Sequence, residues 1–256
     1  MSQSVDRAAV LLDACALGPR RLTDLARDLG VHRSTVLRLL QTLERHRLVR
    51  QLDDLTWAIG FGLIGMAIES LDRMDLRTAA RPRLERMGRE IGHTVHLAEP
   101  AGPDIVYVDK VEGHGAVRIA SRIGAPVPIH TAGVAKAILA GLPAERRDAI
   151  LATASFERFT ASTITRPGDF TEELARVRKQ GYAVDDGEYE SYLACIAVPV
   201  RDHTGAVRAG VSITALSAIE PLERLRRHLP LLWTAASEIS QDLGWDGATG
   251  VRRHAG

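Results

Sequence analysis

Leu22 to Arg50, LTDLARDLGVHRSTVLRLLQTLERHRLVR, reads as two short helices joined at Gly30 and Val31. The second runs from about Arg33 to Arg45, with Val36, Leu37, Leu39, Leu40 and Leu43 forming an apolar seam. His32, Arg33, Ser34, Thr35 and Arg38 are left outside near its start, and Gln41 and Thr42 further along. A helix pair with a polar, arginine-bearing flank on its second member is the pattern of a helix-turn-helix DNA reader. In such a reader the N-terminal residues of the second helix reach base edges. Arg33 and Arg38 suit guanine or phosphate, and Ser34 and Thr35 suit phosphate or mixed contacts. For the first helix the pattern predicts Thr23 as N-cap and Asp24 in the first turn, where a carboxylate favours the positive helix end. Leu22, Leu25, Ala26 and Leu29 turn inward, and Gly30 supplies the sharp exit.

Charge separates this reading from that of a helical pair with a merely solvated face. Between Gly18 and Arg50, the cations Arg20, Arg21, Arg27, Arg33, Arg38, Arg45, Arg47 and Arg50 face only Asp24, Asp28 and Glu44. The whole chain carries a formal charge of +1, so the excess is local, as a phosphate footprint requires. Two short extended runs follow, Leu48–Leu52 and Leu55–Gly60, around the acidic turn Asp53-Asp54. They predict a β-hairpin wing, with Arg50 placed to cross a backbone and Trp57 anchoring the hairpin on the core. Arg20 and Arg21 complete the predicted DNA face. Upstream, Ser4–Leu17 reads as a supporting helix with Val5, Ala8, Ala9, Leu12 and Ala16 inward.

The 256 residues, 45% hydrophobic, suffice for one or two packed domains. Two distant cysteines make no disulfide framework, which fits a reducing compartment. The start, MSQSVDRAAVLLDA, is amphipathic and broken by charge, unlike a signal peptide, and no apolar run is long enough to span a bilayer. A cytoplasmic protein without a membrane partner is expected. Residues 61–75, FGLIGMAIESLDRMD, are apolar around much of a helix: Phe61, Leu63, Ile64, Met66, Ala67, Ile68, Leu71 and Met74. Such a helix buries itself either in its own domain or against the same helix of a second chain. It reads as a linker between a DNA-binding domain (1–60) and a larger domain (76–245), with a loose tail at 246–256.

From Leu76 helix and strand signals alternate. Leu76–Gly92 is helical; His93–Glu99 and Ile105–Glu112 are strands about the turn Pro100–Pro103, and Val117–Arg122 continues the sheet. Helices follow at about Thr131–Ala140, Ala144–Ala154 and Thr171–Gln180. A hairpin of Cys195–Arg201 and Val207–Thr214 turns at Asp202–Gly205, and one long helix covers Pro221–Leu243. Helices grouped on a mostly antiparallel sheet make an α+β sensor-like domain.

The chain resembles the IclR family of bacterial transcriptional regulators along nearly its whole length. The resemblance is carried by RSTVLRLLQTLERHRLV and Ala58-Ile59-Gly60. It continues with TVHLAEPAG, IVYVDKVEG, PVPIHTAGVAKAILA, KQGYAVDDGEYE and IAVPVRDHTGAVRAGVSI, in that order. It implies an N-terminal winged helix-turn-helix, a linker helix and a C-terminal effector-binding domain of GAF-like α/β form. It also implies a homodimer or homotetramer on double-stranded operator DNA, tuned by a small carboxylate or aromatic acid. By position, the family's pocket segment falls on His130, Thr131–Ala135 and Lys136, with Ala135 where the family usually has glycine. The implied effector contacts are Gly133 and Val134 at a helix start, Asp185, Cys195 and Ser212 on the sheet, Thr214 on the same face as Ser212, and Ile119, Val127 and Leu193 as apolar walls. Asp185 would repel an anionic head and therefore accept a ligand hydroxyl or hydrated carbonyl, or hold water. Other readings of these residues stand beside this one. Cys195 is also a small buried hydrophobe, the acids from Asp185 to Glu190 a solvated loop, Lys136 a salt-bridge partner, and His130 a loop's hydrogen-bond partner.

Two further function classes remain. An enzyme using His130, Cys195 and Asp185 lacks a second base at motif distance, a glycine-rich phosphate loop and a metal cluster. No catalytic residue, metal or resident cofactor is therefore expected. A winged helix serving only to dock proteins is disfavoured by the basic excess around its second helix.

Overall fold

The structure, a computed structural model, describes residues 3–72, 75–114 and 119–247. It divides into two compact units, Met1–Met74 and Asp75–Gly256. In the first, α1 (Gln3–Ala16), β1 (Arg20–Arg21), α2 (Leu22–Asp28) and α3 (Arg33–Arg45) precede the wing strands β2 (Val49–Gln51) and β3 (Thr56–Ile59) and the helix α4 (Phe61–Asp72). Leu11, Cys15, Leu25, Ala26, Val36, Leu40, Leu43, Val49 and Trp57 make its core. Trp57 is 2% exposed, so it anchors the hairpin.

Two local expectations are corrected, the inward face of α1 and the N-cap of α2, and one element, β1, is additional. α1 packs through Leu11 and Cys15, while Val5 is 69% exposed and Ala9 and Ala16 also face outward. Its apolar positions spread around the helix, and Leu11 and Cys15 point at the α3 core. β1, two arginines with no strand signal, pairs antiparallel with β3, Arg20 opposite Trp57 and Arg21 opposite Thr56. Because that strand runs directly into α2, Arg21 is the N-cap, extended at φ −77°, ψ 146° and without a side-chain cap bond. Thr23 therefore lies inside the first turn.

The helix pair itself is built from backbone geometry. α2 ends in a Schellman motif: Gly30 N–H donates to the Arg27 carbonyl and Val31 N–H to that of Ala26, with Gly30 at φ +63°. α3 ends the same way, but the left-handed residue is Arg47, at φ +58°. Gly60 and Gly62 lie against it. A Cβ on Gly60 would sit 2.3 Å from the Arg47 carbonyl oxygen, and one on Gly62 2.6 Å from Arg47 Cβ. On α4, Phe61, Ile64 and Met66 are exposed; Met74, expected on this helix, lies outside the described residues.

The second unit opens with α5 (Leu76–Ile91), β4 (Thr94–Ala101) and β5 (Asp104–Val111). It continues through α6 (Gly133–Gly141), α7 (Ala144–Leu151), α8 (Pro167–Gln180), β6 (Ala183–Asp186), β7 (Leu193–Arg201) and β8 (Val207–Leu216) to α9 (Leu222–Leu225) and α10 (Leu229–Asp242). The sheet is antiparallel throughout, in the order β5-β4-β8-β7-β6. Alternation splits it into two faces. One, with Val95, Leu97, Ile196, Val198, Val211 and Ile213, packs on α5, α9 and α10; the other meets α6 and α8 through a second core containing Ile138 and Phe170.

The single long terminal helix expected over Pro221–Leu243 is broken by a 3₁₀ turn at Arg226–His228. Pro230 lies in the first turn of α10, where its missing N–H is harmless, whereas it cannot continue a helix from upstream. The expected strand at Val117–Arg122 does not form over its described part. The Lys110 ammonium takes up the carbonyls of Ile119, at 2.6 Å, and Ser121, at 3.1 Å, and the segment makes no ladder. The start of that expected strand, Val117 and Arg118, lies outside the described residues, as does most of the expected tail, 248–256. α6, placed from Thr131, starts at Gly133; α7, placed to Ala154, stops at Leu151; and α8, placed from Thr171, starts a turn earlier at Pro167.

Candidate functional site

Each unit presents one site. In the first, α3 turns His32, Arg33, Ser34, Arg38, Gln41 and Thr42 to solvent, with Thr35 half-buried. Arg33 and Arg38 have no ion-pair partner among the described residues, so their charge is available to an external anion. His32 is the N-cap, its ring nitrogen accepting from the Ser34 N–H. The Thr42 hydroxyl donates back to the Arg38 carbonyl at 2.9 Å, which withdraws that proton from external use. Arg20 is paired with Asp28 at 2.5 Å, Arg21 is exposed on β1, and the Arg50 guanidinium lies 4.5 Å from the centre of the Phe61 ring. The wing tip is acidic. Asp54 accepts both the N–H and the hydroxyl of Thr56, which holds its carboxyl below the usual range, and Asp53 beside it is exposed.

In the second unit a cavity of about 190 Å³ lies between the sheet and the start of α6. Strand register sets its floor. Asp185 of β6 faces Cys195 of β7, Cys195 faces Thr214 of β8, and one step along Ser212 faces His96 of β4. Gly133, Val134, Ile119 and Leu193 line it together with the four expected sheet residues, Asp185, Cys195, Ser212 and Thr214. Val127 does not: it is 3% exposed in the second core, while Pro126 and Pro128 on either side of it face the cavity. Lining residues not foreseen from sequence include His96, Tyr107, Ser121, Arg122, Tyr189 and Glu190. Strand alternation carries a signal for His96, two residues from Thr94 and Ala98 on one face, once β4 is known to pair with β8.

The floor is polar and largely uncharged. Burial pushes the Cys195 thiol up to about 12, and burial with Lys110 nearby pushes His96 down to about 3, so both are neutral at pH 7. His96 Nε2 lies 2.7 Å from Ser121 Oγ, and its Nδ1 lies 3.4 Å from Thr214 Oγ1, tying the loop over the cavity to the floor. Asp185 accepts the Glu188 N–H at 2.7 Å; burial outweighs that bond and the pull of Lys136, raising its carboxyl to about 6. Lys136 is fully buried and pairs with Glu188, and with Glu173 at 3.7 Å, as a salt-bridge partner beneath the cavity. Asp185 and Glu188 are thus buried and not a solvated loop. Gly133 keeps the start of α6 close to the sheet: a Cβ there would lie 3.2 Å from Cys195 Sγ. Ala135 is fully buried in the second core, so that packing accepts a methyl where glycine is expected.

The nominal nucleophile set is not assembled. His130 Nε2 bonds the Glu157 carbonyl at 2.8 Å and its ring stacks on Phe159, and His130 is not among the residues lining the cavity that holds Cys195.

Residues 4–53 match the family described as IclR helix-turn-helix domain, and residues 68–241 match that described as Bacterial transcriptional regulator IclR C-terminal. The chain is 31% identical over 246 residues to the HTH-type transcriptional regulator XynR of Escherichia coli K12, covering 95% of this chain and 98% of that one. It is 30% identical over 247 residues to the transcriptional repressor IclR of the same organism, covering 94% and 90%. Among solved structures, Thermotoga maritima IclR aligns with a TM-score of 0.63 at 31% identity, over 94% of this chain and 98% of that one. The Agrobacterium tumefaciens repressor BlcR shares the fold with a TM-score of 0.81 at 24% identity, over 94% and 97%. With both units matched in order and relatives that are regulators, not enzymes, the chain belongs to the IclR family of bacterial transcriptional regulators.

Proposed function

We propose that this regulator reads double-stranded operator DNA with α3, and that a small carboxylate or aromatic acid in the cavity of the second unit sets operator affinity. The observation that carries the effector reading is the cavity itself: an apolar lining with a few convergent polar groups and, at about 190 Å³, small for a drug-sized ligand. Asp185 faces it as an acceptor, so a ligand hydroxyl or hydrated carbonyl belongs at that end. An acid group belongs toward the backbone at Gly133 and Val134, the first turn of α6, whose N-cap Ala132 supplies no side-chain cap, and toward Arg122, the cation among the lining residues. Ser212 and Thr214 donate to ligand oxygens. The apolar residues exposed on one chain, Phe61, Ile64 and Met66 on α4 with Val5 and Val10 on α1, support a homodimer or homotetramer. A two-fold assembly also suits paired half-sites one helical turn apart. No helix among the described residues is long and apolar enough to cross a membrane, and cytoplasmic action follows from a genomic partner.

Ligand and operator, each preferring one state, change one another's affinity by the same factor. The test is a thermal-shift screen of small acids followed by operator titration with the best binder. Asp185→Asn and Ser212→Ala should lose both the acid's thermal shift and its effect on operator affinity, with ligand-free operator binding intact. Both variants keeping a normal response would refute the assignment of the cavity.

A further inference from the structure

α3 begins on a histidine, where the usual N-caps are Ser, Thr, Asp or Asn. His32 is extended, at φ −65° and ψ 143°, and its Nδ1 accepts the backbone N–H of Ser34 at 3.3 Å. The Ser34 hydroxyl lies 2.8 Å from the same nitrogen. A ring nitrogen that accepts an N–H carries no proton, so the ring hydrogen is on Nε2. Ser34 Oγ then meets Nδ1 by donating its one proton. What the exposed hydroxyl has left to offer a partner is lone pairs alone.

A group that only accepts makes no bond to a phosphate oxygen, which also only accepts. At base edges in the major groove the donors are the amino groups of adenine N6 and cytosine N4. We propose that Ser34, held as a pure acceptor by His32, reads an adenine or cytosine amino group of the operator and leaves phosphate contacts to its neighbours. This rests on α3 being the groove-reading helix. It assigns the two residues distinct work: His32 orients and keeps its Nε2–H as a donor, and Ser34 discriminates. Arg33, exposed between them, can clamp phosphate.

The experiment uses the full chain and duplexes it selects from a randomised pool. Ser34→Ala keeps the backbone N–H that His32 caps, so α3 stays formed. It should alter base preference at one position per half-site and leave the salt dependence of binding unchanged. At that position, a base lacking the amino group (purine for adenine, 2-pyrimidinone for cytosine) should weaken wild-type binding about five-fold, the worth of one neutral hydrogen bond. The same base should cost Ser34→Ala nothing. His32→Ala, which returns the hydroxyl proton, should also tolerate it. A uniform loss for Ser34→Ala across all sequences would mean a phosphate contact and overturn the proposal. So would unchanged selection by Ser34→Ala, or wild-type indifference to amino deletion. A full chain that selects no duplex would overturn the assignment of α3 as well, a failure of a different kind.

Discussion

Replacing Lys136 with Met tests whether the cluster beneath the cavity is held by charge. The ammonium is fully buried between Glu188 and Glu173, and the Asp185 carboxyl faces the cavity above. Methionine keeps the length and removes the charge. Taking one partner from a buried ion pair costs about 3–5 kcal/mol, because the remaining charge has neither water nor counterion.

The cost should depend on pH, and its sign follows from where the proton resides. Burial pushes Glu188 up to about 7, even with Lys136 pulling it down, and Asp185 up to about 6. Both bind protons more tightly folded than unfolded, so in the wild type these groups cost stability as pH climbs from the ordinary carboxylate range to about 7. Above that the wild-type curve flattens, Glu188 being ionised in both states. In Lys136→Met the carboxyl holds its proton to still higher pH. The folded variant then carries a proton that the unfolded chain does not, and its penalty grows by about 1.4 kcal/mol per pH unit. Between about pH 7 and about pH 8.5 this amounts to about 2 kcal/mol. Urea unfolding, read by pulse-labelling of the α6 and β7 amides at about pH 6 and about pH 8.5, measures it directly for this unit. A penalty equal at both pH values, or below about 1 kcal/mol at the higher one, would refute the argument that Lys136 offsets buried carboxylates.

Gly60→Ala forces a methyl to within 2.3 Å of the Arg47 carbonyl oxygen and should destabilise the first unit by about 1–3 kcal/mol, seen as a lower urea midpoint by Trp57 fluorescence. An unchanged midpoint would mean that the α3 exit relaxes freely. Leu55→Gly should act the other way: Leu55 is exposed at the wing tip with φ +63°, a conformation costing an L-residue about 1–2 kcal/mol. Relief should exceed the added chain entropy and raise stability by up to about 1 kcal/mol on the same assay, and a loss would show that Leu55 contributes a contact worth more than its strain.

What sequence alone displays is whatever local periodicity specifies. The α3 seam shows itself because Val36, Leu40 and Leu43 recur at helical spacing and all three are buried, and the wing because an acidic turn separates two apolar runs. β1 is invisible for the opposite reason: Arg20 and Arg21 are extended only because β3 lies beside them, a fact of tertiary pairing. The same distinction governs the cavity. Asp185, Cys195 and Ser212 are placed by family resemblance and Thr214 by strand alternation from Ser212, and their assembly depends on Asp185 pairing with Cys195 and Cys195 with Thr214 across three strands. His96 joins them through a pairing with Ser212 more than a hundred positions away in the chain, which no window of sequence displays. Val127, outside any strand, is buried in the second core, while Pro126 and Pro128 on either side of it face the cavity, a division that no periodic pattern in the sequence marks. The charge on these groups is the least legible of all. For Asp185 to Glu190 the sequence leaves a solvated acidic loop standing beside a pocket contact, and it is the burial of Asp185 and Glu188, with Lys136 of α6 paired to Glu188, that removes the first and raises both carboxyls.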